Sequence, residues 1–119
     1  MANTYRNAFA NLTATGATAV YTSPSVTTAI VKSLRIANVT TGTAGNVTVE
    51  VTDNSASTTY TFSRNVSIAA GVSQEMLGQD TSTTADGQSI IVLEESDALK
   101  VTPSAANVFH VTMAALEVT

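Results

Sequence analysis

Along most of the chain apolar residues recur at every second position, over short stretches closed by Gly, Pro, Asn, Asp or Ser. That period predicts half-buried β-strands. Val47, Val49 and Val51 alternate with Thr48, Glu50 and Thr52. Val108 to Val118 predicts a long closing strand, with Phe109, Val111, Met113 and Ala115 on one face and His110, Thr112, Ala114, Leu116 and Val118 on the other. Thr27 to Thr40 predicts another, with Ile30, Leu34 and Ile36 on one face, interrupted by Lys32, and Ala29, Val31, Ala37 and Val39 on the other. Shorter strands are predicted at Ala17 to Thr22, Thr58 to Ser63, Val66 to Ile68, Ser73 to Leu77, Ser89 to Leu93 and Ala98 to Thr102. Gly78 to Gln88 is polar and Thr-rich and predicts the most mobile loop. No stretch beyond residue 16 keeps a helical period over ten residues. The pattern predicts an all-β fold, an antiparallel β-sandwich, jelly-roll-like or Ig-like, of about eight short strands.

The first sixteen residues break this pattern. They are polar, with isolated Tyr5, Phe9 and Leu12 at spacings of four and three, which suits one face of a short helix or an arm that docks elsewhere. The expected organisation is therefore an N-terminal arm over residues 1–16 and one sandwich domain over residues 17–119.

Composition sharpens the picture. Charged residues are 12% of the chain, about half the usual share, and the net charge is −4. Thr, Ser, Ala and Val supply 65 of the 119 residues. A surface built from Thr and Ser keeps β propensity but resists edge-to-edge association poorly, because charge normally supplies that protection. A self-associating chain, dimer or trimer, is expected. Five basic residues, Arg6, Lys32, Arg35, Arg64 and Lys100, give no basic patch for nucleic acid. The longest apolar runs are four residues, so no membrane span is expected, and no secretory signal is read at the N-terminus.

The chemistry available is sparse. There is no cysteine, hence no thiol nucleophile or disulfide frame. His110 is the single histidine, set mid-strand between Phe109 and Val111 with no Gly-x-Ser-x-Gly elbow in the chain, so it reads as a wall or interface residue and not as a base. Glu94, Glu95 and Asp97 form the one tight acidic cluster. It lacks the ligand spacing of a calcium loop and reads as a turn with solvated carboxylates. Four Asn-x-Ser/Thr sequons, at Asn11, Asn38, Asn46 and Asn65, follow from the abundance of Ser and Thr. No catalytic residue, cofactor or metal ligand is expected, and the chain reads as one for binding or building.

Two stretches carry a resemblance. Ala19-Val20-Tyr21-Thr22-Ser23-Pro24 with Thr27 through Val39, and later Val92 through Asn107, resemble small β-sandwich virion proteins of tailed bacteriophages, cyanophages among them. In the second stretch Ser96 stands where that signature carries glycine, so the turn is expected to differ. The likeness spans residues 18 to 119 and rests on a strand and a turn, which mark a building block and not an activity. It implies a virion structural protein made in the bacterial host cytoplasm, of the head decoration (cement) type. Such a protein sits on the capsid exterior with the major capsid protein as partner. The alternative is a tail, neck or fibre-associated subunit with carbohydrate binding at its loops. Tyr5, Arg6 and Phe9 in the expected arm are the candidate partner contacts, because aromatic residues and Arg dominate interface energetics.

Overall fold

A computed structural model describes residues 2–77 and 90–119. The expected loop Gly78 to Gln88, with Asp80 and Asp86, lies outside the described residues. The described chain is all β, with nine strands: β1 (Asn3–Asn11), β2 (Thr18–Thr22), β3 (Thr28–Asn38), β4 (Gly45–Asp53), β5 (Thr58–Ile68), β6 (Ser73–Glu75), β7 (Ile91–Leu93), β8 (Ala98–Pro103) and β9 (Phe109–Val118). A front sheet runs β1-β9-β3, and β6 and β7 share the far side of β3. A back sheet runs β2-β8-β4-β5. Every pairing is antiparallel.

Apart from the β4–β5 hairpin and the two pieces of the front edge, each strand is followed in the chain by one in the opposite sheet. If β6 and β7 count as one interrupted strand, the first pairs with the last, the second with the next to last, and so inward. That nesting is a jelly roll. Of the two sandwich types that the alternation allowed, the topology is this one.

The core lies between the sheets. Phe109, Val111, Met113 and Ala115 of β9 face Val47 and Val49 of β4 and Leu99 and Val101 of β8, all buried. In β4 and β9 the buried set is one of the two faces that the alternation separates, because a side chain at every second position meets the opposite sheet. Phe109 fixes one neighbour outright. A Cβ on Gly45 would stand 2.7 Å from its ring, so only glycine lets the start of β4 pass there.

Three expectations need correction. First, residues 3–11 are neither helix nor detached arm: they form β1, paired with β9 from Asn3↔Val118 to Asn11↔His110 in unbroken register. Leu12 behind it is fully buried in the core. Second, Ile30 does not share a face with Leu34 and Ile36. The register of β3 against β9 shifts between Val31 and Ser33, so Lys32 is the extra residue of a β-bulge. One inserted residue exchanges the two faces of a strand. Ala29 and Val31 before the bulge therefore join Leu34 and Ile36 after it in the core. Third, Thr58 to Ile68 is one strand, not two. Two register shifts against β4, between Val47/Val49 and Val49/Glu50, break its period without ending it.

Candidate interaction surface

The outer face of the front sheet is where side chains gather without burial. Tyr5 on β1 stands opposite Leu116 on β9, Leu116 opposite Ile30 on β3, and Ile30 opposite Val92 on β7. Four apolar residues thus form one row across four strands, a span of about 14 Å at the normal strand spacing. The inner two are half-buried by their neighbours, whereas Tyr5 is 76% exposed and Val92 52%. Ile90, just before β7, is 54% exposed. Such a row is unusual on a face turned to solvent.

Towards the other end of the same face the rows turn polar. Phe9, 69% exposed, lies opposite Thr112, and the row continues through Arg35 and Glu75. The Glu75 carboxylate accepts hydrogen bonds from the Ser33 hydroxyl, from the Leu34 N–H at 2.8 Å and from the Leu77 N–H at 3.2 Å. It thereby closes the gap in the front edge between β6 and β7. His110 is exposed on the outer face beside Asn11, and with Phe9, Ala10, Asn11, Val111 and Thr112 it lines a shallow depression.

The three candidate contacts expected from sequence do not share one face of β1. Tyr5 and Phe9 point outward from β1, while Arg6 between them turns to the inner side. There its Nε donates to Glu117 Oε1 at 3.1 Å. Glu117 also accepts a hydrogen bond from the Tyr21 hydroxyl at 2.5 Å. Tyr21 belongs to β2 and Glu117 to β9, so the cluster clips the back sheet to the front sheet at the edge where β1 begins. The Tyr21 hydrogen bond, opposed by partial burial and assisted by Arg6, holds the Glu117 carboxyl below its usual range. Burial, the same bond and the nearby carboxylate push the Tyr21 phenol well above its own.

The acidic turn is also not as expected. Glu94 and Glu95 are exposed, but Asp97 is buried. Its carboxylate accepts from the Asn54 N–H at 2.9 Å and the Glu94 N–H at 3.0 Å, and its backbone carbonyl accepts from the Ser23 N–H at 2.9 Å. Asp97 is a staple that joins the β4–β5 hairpin to two other loops, which alternation along a strand cannot reveal. Ser96 takes a φ of 68°, the left-handed region that glycine adopts most easily. Among the described residues no three His, Asp or Glu side chains are grouped to hold a metal ion.

Sequence reading missed Leu116, Ile30 and Val92 as members of one surface. Each was visible as an apolar residue, but the row exists only through the pairing of β1, β9, β3 and β7, and the Lys32 bulge hid the true face of Ile30. Comparison with known proteins finds no family model, no curated protein and no solved structure that matches the chain.

Proposed function

We propose that the chain is a virion structural protein of a tailed bacteriophage, a capsid decoration protein that binds the outer capsid through the front sheet and stabilises the head. The observation that carries this reading is the apolar row Tyr5–Leu116–Ile30–Val92 across the open face of the front sheet. A face of this kind suits a broad, gently curved protein surface better than a small ligand, which calls for a concave site. The resemblance of residues 18 to 119 to small phage sandwich proteins supports the same role. Jelly rolls recur in capsid and lectin domains, a fold-level analogy that permits the assignment without making it.

Packaged DNA repels itself, and more strongly when screening falls. Contacts that bridge capsid subunits oppose that outward load. Repeated over a lattice they act by multivalency, so none has to be strong alone.

The test compares heat-induced DNA release from particles with and without the protein. Particles lacking it are expected to release DNA at lower temperature, more so at low ionic strength, and re-addition of purified protein to restore them. A Tyr5→Ser/Val92→Ser variant that melts normally should bind such particles about tenfold or more weakly, the usual scale for losing interface anchors. Identical release curves combined with impaired adsorption to cells would overturn the head assignment in favour of a tail, neck or fibre subunit.

A further inference from the structure

The four sheet edges are not alike. On the back sheet, β2 has five residues and a register shift between Ala19 and Tyr21, and β5 has two shifts and a left-handed residue, Asn65. On the far side of the front sheet, β6 and β7 have three residues each. Short and bulged edges are the devices by which sheets avoid pairing with other chains. β1 uses neither. It runs for nine residues in constant register, and no described strand pairs with its outer side.

Which backbone groups it offers follows from the ladder. Ala2 and Thr119 exchange both hydrogen bonds, and Leu12 donates to Phe109. In an antiparallel pair such closely bonded positions recur by twos, so the even residues of β1 are used by β9. The N–H and C=O groups of Asn3, Tyr5, Asn7, Phe9 and Asn11 point away from the sheet.

Those same five residues read the same way in both directions: Asn, aromatic, Asn, aromatic, Asn. We propose that β1 pairs with β1 of a second copy, antiparallel about a two-fold axis at Asn7, and joins two front sheets into one. In this register Asn7 meets Asn7, Tyr5 meets Phe9 and Asn3 meets Asn11 of the other copy. About ten backbone hydrogen bonds form, two at each odd position. It is the symmetric register with the longest overlap, and it sets aromatic against aromatic and amide against amide, both favourable cross-strand pairs. On the inner side Arg6 meets Ala8 and Thr4 meets Ala10, so no like charges stand directly opposite. Each Arg6 already has Glu117 as partner. Tyr5 and Phe9 cover one flank of each other's rings on both sides of the axis, so side-chain contact adds to a backbone ladder that runs the full nine residues. The pairing is isologous, as closed dimers require. It stands whether or not the virion reading holds, since it uses only this chain.

A chain without cysteine permits a direct test. Paired residues at a hydrogen-bonded position have Cα atoms about 5.5 Å apart, inside the disulfide range of about 4.4–6.8 Å. Under mild oxidation full-length Asn7→Cys is expected to give a covalent dimer. Asn3→Cys alone should remain uncrosslinked, and an equal mixture of Asn3→Cys and Asn11→Cys should give the mixed dimer. Sedimentation of the unmodified chain should show twice the 12.2 kDa monomer mass. That species should be lost in Asn7→Pro, which removes an outward N–H, and in Tyr5→Ser/Phe9→Ser, which leaves the backbone alone. A monomer at high micromolar concentration, a trimer, cross-linking at Asn3 as readily as at Asn7, or a dimer that survives both variants would overturn the pairing.

Discussion

β1 and β5 are both long edge strands, of nine and eleven residues, yet one keeps a constant register and the other shifts register twice. β5 spends two residues more than β4 over their shared length. At one of these places Asn65 takes a φ of 52° and its N–H bonds to the Thr48 hydroxyl at 3.1 Å. The bulges twist the strand, so its exposed Tyr60 and Phe62 sit on an irregular edge that another strand cannot follow. β1 has no such irregularity and is anchored instead by Arg6 to Glu117 in its first half and by Leu12, just past its end, in the core. In a chain with few charges, protection from unwanted pairing is geometric, and β1 is the edge that lacks it.

The largest test of this contrast is at Leu12. Leu12→Ala is expected to cost about 2–5 kcal/mol, the range for truncating a fully buried leucine, measured by denaturant unfolding. A chain that begins at Ala17 should lose more than that, because the edge of β9 is then uncovered as well. If the truncated chain melts within a few degrees of the full one, β1 is a detachable arm after all and the two edges differ only in length.

Next in size is the clip at Glu117. Glu117→Gln keeps the shape but loses the charge that both Arg6 and Tyr21 address, an expected loss of about 1–2 kcal/mol. The sign with pH follows from the direction of each shift. The Glu117 carboxyl is held below its unfolded range, so its contribution is present above about pH 4.3 and fades as the pH falls through the lower folded value. The Tyr21 phenol is raised, so the same bond is intact below about pH 10 and fails only as the pH climbs beyond it. Melting temperatures between neutral pH and pH 3 should converge for the native chain and Glu117→Gln. Parallel curves would show that the clip does not hold β1's end of the sandwich.

The smallest effect is expected on β5. Asn65→Ala should cost about 1 kcal/mol, since a β-carbon in the left-handed region is disfavoured by about 1–2 kcal/mol and Asn tolerates that region better than Ala. Asn65→Gly should be close to neutral. If both variants match the native chain in a thermal melt, the bulge is not held by Asn65 and the β5 edge is looser than its geometry implies.

How far this architecture was legible depends on where a residue stands. Central strands were readable: in β4 and β9 both neighbours are present, so Val47, Val49, Val111 and Met113 must face the core, and the period of two survives in the sequence. Edges and bulges were not. In β1 the inward positions are small, Ala8 and Ala10, while the large residues Tyr5 and Phe9 face solvent, which reverses the usual pattern. In β3 the residue that shifts the frame, Lys32, looks like any polar interruption. Of the candidate surface, Tyr5 and Phe9 were legible as aromatic residues outside the alternation. Arg6 was drawn inward by a partner 111 positions away, a distance over which no local pattern speaks.

Ala2 and Thr119 meet at one corner of the front sheet. Ala2 and Thr119 exchange backbone bonds at 3.0 and 3.3 Å, one rung beyond the Asn3–Val118 pair and three beyond Tyr5–Leu116. Anything bulky grafted at either of these residues therefore emerges at the same place, beside the apolar row and in line with the outer side of β1. A purification tag or display fusion placed there acts as a shield over both surfaces, and a short polar linker of several residues is needed before its bulk clears them.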